Sequence, residues 1–412
     1  MKRAIALVAV LSSAAALAAC GKDPVGRSGD PQLTLSADSV TVDVGASASV
    51  TATVLNASEP VQFVSRDPGV ATVNANGAIS GVAVGSTYVV ATLSNRADVR
   101  DSVRVRVRVP VDGEWGLRAP LLENNSEFAL AEANGKLYVL GGYPPQQGPN
   151  RTKNTVQIYD IASDKWQLGP PLPQPNNHGM AAAVNGKIYM LGGQTTDDQN
   201  GATAVNTVYE LDPAKGEWVE KAKMPTARSG GVAVAHAGKI YVAGGRVPRG
   251  NDFAVYDPAA DRWEVLPDLP SQRNHIAGAA INGRIHIVGG RLGNGLSPLK
   301  STAHEVFDPQ TRTWTTAAPM LSGRSGINGV MARGCFHVWG GEGPTGMTPQ
   351  HEYYDPRTNQ WSSLRNMPIP IHGVVGSAFV DGLIWVTGGG TQVGGSSGSL
   401  HNQTYRPIVS CE

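Results

Sequence analysis

A nine-residue phrase returns six times: "NGKLYVLGG" (Asn134–Gly142), "NGKIYMLGG" (Asn185–Gly193), "AGKIYVAGG" (Ala237–Gly245), "NGRIHIVGG" (Asn282–Gly290), "RGCFHVWGG" (Arg333–Gly341) and "DGLIWVTGG" (Asp381–Gly389). A repeat of about 50 residues limits the fold to arrays in which each unit buries its core against the next. Tryptophans keep the same beat, at 115, 166, 218, 263, 314 and 361, and the first Gly of a doublet follows each by 26 residues, or 27 in the last case. A turn Gly (135, 186, 238, 283, 334, 382) stands six residues before each doublet. Asp-x5-Trp recurs five times, from Asp160, Asp212, Asp257, Asp308 and Asp355.

Each part of the unit has a physical task. Asn-Gly, Ala-Gly or Asp-Gly suits a two-residue hairpin turn that needs positive φ. Small residues precede it ("HGMAAAV", "GGVAVAH", "HIAGAAI") and fit the crowded centre of a radial array. The strand after the turn carries Tyr138, Tyr189, Tyr241, His286, His337 or Trp385, a third ends near Tyr-Asp-Pro, and a fourth carries the Trp. Four strands per unit make one propeller blade. The doublet, the Tyr and the Trp resemble the signature of the kelch family, and the likeness covers residues 110–412, implying a six-bladed kelch β-propeller in an all-β chain. Trp115 has no doublet upstream, while the unit from 372 to 407 ends without a Trp. The strand around Trp115 is therefore expected to complete that last blade and remove an open edge.

No helix is expected after any doublet, so the glycines read as strand geometry and not as a phosphate loop. "GEGPTG" (Gly341–Gly346) matches G-x-G-x-x-G, but a strand follows it where a nucleotide site needs a helix.

Residues 32–109 alternate apolar and polar in short runs such as "SVTVDVG", "STYVVATL" and "DSVRVRVRV", the pattern of a β-sandwich of about seven strands. "FVSRDPGVATVNANGAISGVAVGSTYVVA" (Phe63–Ala91) resembles the bacterial Ig-like domain of group 2, with Phe63 where Trp is more usual. That likeness implies a display or weak-adhesion spacer without catalysis. Arg104, Arg106 and Arg108 share one face of its last strand: a solvated face, or a patch for a polyanion.

At the N-terminus Lys2 and Arg3 precede an apolar run and "LAAC" (Leu17–Cys20), the layout of a signal peptide over residues 1–19. Its end resembles a bacterial lipobox, which implies lipidation of Cys20, a tether over 20–31 and a lipid anchor. An ordinary secretory signal with an incidental Cys is the alternative. Gly21 is not the Asp that commonly retains lipoproteins at the inner membrane, so an outer-membrane address is expected over an inner one. With 34 basic and 33 acidic residues there is no global charge for nucleic acid. Cys335 and Cys411, in a disulfide-permissive compartment, form a possible disulfide or remain one buried and one terminal thiol.

Counting ten residues back from each turn Gly gives Asn125, Asn176, Arg228, Arg273, Arg324 and His372, a polar ring at one channel mouth. The residues after the doublets are Tyr143, Gln194, Arg246, Arg291, Glu342 and Gly390. Arg228, Arg246, Arg273, Arg291 and Arg324 thus crowd one sector around Glu342, a set of forks suited to carboxylates or sulfates. Alternatively, Arg228, Arg273 and Arg324 bond the carbonyls of neighbouring blades. Arg246 and Arg291, on loops, are expected to be dispensable to the fold. His286 and His337 read as packing residues. His304 and His351 occupy equivalent places in adjacent blades and could approach each other, but no third ligand accompanies them, so no metal or cofactor is expected. Some kelch propellers, such as galactose-oxidase relatives, carry copper; Cys335 on a blade strand does not match that constellation.

These features imply a monomeric recognition module for an anionic glycan or protein partner. Two other readings are a carbohydrate-active enzyme similar to periplasmic kelch sialic acid mutarotases, with Glu342 as proton shuttle, and a purely structural envelope protein.

Overall fold

Both residues of every hairpin turn sit at positive φ, from Asn134 (54°) and Gly135 (74°) in the first unit to Asp381 (52°) and Gly382 (73°) in the last. That is the type I′ geometry whose twist matches paired strands. In the computed structural model, which describes residues 29–43, 47–108, 113–144, 151–198, 201–246, 250–293, 297–395 and 397–412, these turns join the two inner strands of six blades. The chain divides into two units, Met1–Val109 and Pro110–Glu412.

In the second unit the innermost strands are Phe128–Ala133, Met180–Val184, Val232–His236, Ala277–Ile281, Asn328–Ala332 and Ala378–Val380. Each pairs antiparallel with the strand carrying the Tyr, His or Trp, and two further strands complete the blade. Blade 6 takes its outermost strand, Glu114–Leu117, from the start of the unit, and pairs it with Asn402–Arg406. Val374–Val375 joins blade 1 in parallel with Phe128–Ala129 before the chain enters blade 6. The all-β six-bladed propeller expected from the repeat is therefore present.

The repeated residues staple blade to blade. Every repeat Trp donates its indole N–H to a main-chain carbonyl on the segment before its blade: Trp166 to Ala119, Trp218 to Pro170, Trp263 to Ala222, Trp314 to Pro267, Trp361 to Ala318 and Trp115 to Arg365. The second Gly of each doublet donates its N–H to the next blade, as Gly193 does to Arg228 O (2.9 Å) and Gly389 to Asn125 O (3.1 Å). A Cβ on Gly193 would lie 2.0 Å from Asn176 Oδ1, so only glycine fits there. The doublet donors are thus spent within the fold, and Glu342–Gly343 pairs with Gly346–Met347 as a small hairpin. Small residues of the innermost strands (Ala131, Ala182, Val234, Gly278, Ala279, Val330) line an axial channel of about 400 Å³.

Cys335, the first residue of the second strand of blade 5, is bonded to Cys411, with Cα atoms 5.1 Å apart. The tail also pairs Cys411 N with Arg333 O (2.8 Å).

Among the described residues of the first unit nine strands form three sheets, two more than the alternation pattern suggested; the run 47–55 divides into Ser47–Ser49 and Ala52–Leu55, and the latter pairs with Gln32–Leu35. Val103, Val105 and Val107 face its core, while Arg104, Arg106 and Arg108 are exposed. Cys20 and the signal-like segment lie outside the described residues.

Candidate functional site

The side chains of the first polar ring brace each blade from within. Asn125 Nδ2 donates to Gly141 O (2.6 Å), Asn176 Nδ2 to Gly192 O (2.7 Å), Arg273 Nη1 to Gly289 O and Arg324 Nη1 to Gly340 O (2.9 Å). Arg228 Nη1 donates to Val242 O and Asp252 O (2.7 Å). Arg273 is also paired with Glu305 (2.5 Å) and Arg324 with Glu352 (3.0 Å). The bonded carbonyls belong to each residue's own blade, not to the neighbouring one. Asn125, Asn176, Arg228, Arg273 and Arg324 are buried, with their donors turned to these carbonyls. These side chains thus spend those donors inside the fold.

His372 is not the sixth member. The doublet N–H groups that meet Asn176, Arg228, Arg273, Arg324 and Asn125 in other blades meet Ile371 in blade 6 (Gly341 N to Ile371 O, 2.8 Å). Counting back from the turn slips by one residue here, because the chain makes a detour through Val374–Val375 and Gly376 (φ 111°) before the innermost strand. His372 therefore takes the place that Ser126, Asn177, Ser229, Asn274 and Ser325 hold elsewhere, bridged to the residue after the doublet.

One residue further along is a ring that sequence reasoning missed. Glu127, His178, Gly230, His275, Gly326 and Gly373 all have φ between 51° and 68°. Each of the last five donates its N–H to the carbonyl of the member before it, over 2.6–3.2 Å. Glycine is the natural occupant of this left-handed conformation, so Glu127, His178 and His275 are departures from the repeat. That contrast was visible in "NSE", "NNH" and "RNH" against "RSG", "RSG" and "IHG".

The three side chains meet Arg246, Arg291 and Glu342 on the axis. Asn177 sends its amide N–H groups to Thr152 Oγ1 and Thr196 O, so its oxygen accepts from His178 Nδ1 (2.6 Å). Asn274 donates likewise to Gly293 O and accepts from His275 Nδ1 (2.7 Å). Both imidazoles therefore turn unprotonated Nε2 atoms to the axis. Arg246 Nη2 donates to His178 Nε2 (3.0 Å), and Arg291 Nη2 to His275 Nε2 (3.1 Å). Burial, reinforced by those guanidiniums, pushes both histidines well below the ordinary range, so they are neutral. Glu127 Oε2 lies 3.1 Å from His178 Nε2 and 4.0 Å from His275 Nε2; its other oxygen lies 3.5 Å from His372 Nδ1.

Glu342 is 2% exposed and paired with Arg291 (3.0 Å), with Lys300 at 3.8 Å and the Gly394 N–H at 2.8 Å. Burial pushes its pKa up, but His372, Gly394, Arg291 and Lys300 outweigh that and hold it below the usual carboxylate range. Arg246 donates also to Gln194 Oε1 (2.8 Å) and Asp198 O (3.1 Å), and its Nε is buried without a partner. Thus the two loop arginines are buried and bonded. Gly394 and Gly395 cover the cluster, enclosing about 10 Å³, close to the space of a single water. Arg151 braces this cover through Gly395 O (3.0 Å), Asp197 and the face of Tyr143 (4.3 Å).

His304 and His351 do not meet: His304 bonds His286 (2.8 Å) and His351 bonds His337 (3.0 Å), each within its own blade.

The KLHDC2/KLHL20/DRC7 Kelch-repeats domain matches residues 127–329, and the bacterial Ig-like domain (group 2) matches residues 31–103. Kelch-like protein terF of Aspergillus terreus is 30% identical over 329 residues, covering 73% of this chain and 69% of the relative. Human Kelch repeat and BTB domain-containing protein 12 is 32% identical over 118 residues, 26% of this chain, and the chain spans only 19% of that protein. The solved structure of YjhT shares the fold with a TM-score of 0.57 at 16% identity, covering 69% of this chain and 95% of YjhT. The chain belongs to the kelch-repeat family, with a group 2 bacterial Ig-like domain ahead of its propeller.

Proposed function

We propose that this chain is an exported envelope protein, lipid-anchored through Cys20 at the outer membrane, whose propeller recognises an anionic group on an acidic glycan or a protein partner. Kelch propellers are in general modules for protein and ligand interaction, which supports the broad reading. Arg246 carries the finer one. Its hydrogen bonds go to an amide, a main-chain carbonyl and a neutral imidazole, and its Nε has no partner. Arg273 and Arg324, by contrast, are each paired with a carboxylate. The enclosed space holds only about one water, so a carboxylate has to displace the Gly394–Gly395 cover, and it would then meet Arg246 and, beside it, Arg291. A glycan array probed with residues 21–412 tests this. Acidic glycans should be retained by the parent and lost by Arg246→Gln, with a melting temperature lowered far less than by Arg273→Ala; retention of neutral glycans alone would refute it.

The enzymatic reading rests on Glu342 and His372, 3.8 Å apart. A carboxylate held ionised is suited to accept a proton and poorly suited to donate one. Glu342→Gln should abolish turnover in an enzyme and leave anion binding intact in a recognition module.

A further inference from the structure

The axis ring is built equally well from Gly230, Gly326 and Gly373, so the backbone does not require Glu127, His178 and His275. A non-glycine residue held in the left-handed region is strained, and such strain clusters at functional sites. All three instead bring electron-pair donors to one point. Two acceptor atoms, Glu127 Oε2 and His178 Nε2, lie 3.1 Å apart with no proton available from the imidazole, because Nδ1 carries it. Arg246 Nη2 donates to the imidazole side of this contact at 3.0 Å, whereas a cation seated between the two acceptors would serve both at once.

We propose that Glu127 Oε2, His178 Nε2 and His275 Nε2 form a binding site for a divalent transition-metal ion of the zinc type. The three ligand atoms lie within 4.8 Å of one another, and all three residues are buried. A separation of 3.1 Å suits neighbouring ligands on an ion whose bonds are about 2.0–2.1 Å long; His275, at 4.0 Å, has to close in. Two imidazoles and one carboxylate suit zinc or iron(II) and not calcium or magnesium, which take oxygen-rich shells. Asn177 and Asn274 fix both imidazole tautomers with Nε2 unprotonated, the outer-shell arrangement of metal-bound histidines.

Arg246 and Arg291 oppose the ion. Their Nη2 donors occupy the same two lone pairs, and an entering metal displaces both. Each guanidinium retains other acceptors: Gln194 and Asp198 O for Arg246, Asn274 and Glu342 for Arg291. Their charge weakens the site, with Glu127 and Glu342 acting against it. This proposal does not depend on the anion-binding reading.

The test is calorimetric titration of zinc into the untagged full chain after chelator treatment, with cobalt(II) absorption as a second readout. Expected are one ion per chain and ligand-field bands of a mixed nitrogen–oxygen shell. Glu127→Gln, which keeps size and hydrogen-bonding shape, should remove both signals. Asn177→Ala should weaken zinc by about 10–100-fold, the usual effect of an outer-shell change. Melting curves without metal verify that the variants are folded. Absence of stoichiometric binding by the parent chain overturns the proposal, whatever the variants do. So does binding that survives Glu127→Gln.

Discussion

Trp115 stands opposite Tyr405 in the antiparallel ladder of blade 6, with their rings 5.0 Å apart. The first strand of the propeller thus covers the edge of its last blade. Deleting residues through Glu123 strips that edge and is expected to give aggregated or unfolded protein. Deleting residues 21–109 should leave a soluble, monomeric propeller by size-exclusion chromatography. Trp115→Ala, at a half-buried site, should cost about 2 kcal/mol in urea unfolding, less than the roughly 3–5 kcal/mol of a fully buried aromatic. A cooperatively folding monomer without the Trp115 strand would contradict closure.

The Cys335–Cys411 bond closes a loop across a separation of 76 residues. Chain entropy alone assigns such a loop at most about 4.5 kcal/mol. Mass spectrometry should find neither thiol alkylated without prior reduction, and reduction should lower the melting temperature. Alkylation of both thiols in the unreduced folded protein would exclude the bond.

Arg273 and Arg246 should separate structure from recognition. Arg273→Ala leaves Glu305 buried and unpaired, so a loss of about 3–5 kcal/mol is expected. Arg246→Gln keeps an amide among its neighbours and should change the urea midpoint far less. Equal destabilisation by the two would assign Arg246 to the scaffold.

Four histidines away from the axis predict the acid response. Burial pushes His286, His304 and His337 down to about 3, 4 and 3, and His351 well below its ordinary range. Folded, they stay neutral; unfolded, they take up protons below about pH 6.5. Their contribution is complete above that pH and is lost as pH falls towards about 4. Each slope approaches about 1.4 kcal/mol per pH unit. Urea midpoints at pH 7.5, 6 and 5 should fall steadily, and a flat profile would show these histidines to be hydrated in the native state.

The repeat determined the architecture. Turn pairs, small inner strands, aromatics and tryptophans each act locally or on the adjacent blade, so period and spacing carry the information, and the unpaired Trp115 announces the closure. The roles of the polar residues were decided elsewhere. Arg273 and Arg246 look alike in sequence, but one meets Glu305 in its own blade and the other meets His178 of the adjacent blade. His372 shifted ring because Gly376 and its neighbours add a detour that spacing cannot register. Glu127, His178 and His275 lie far apart along the chain and come together only when the ring closes. Their encounter depends on the radial arrangement of whole blades, a property of tertiary packing that no single repeat encodes.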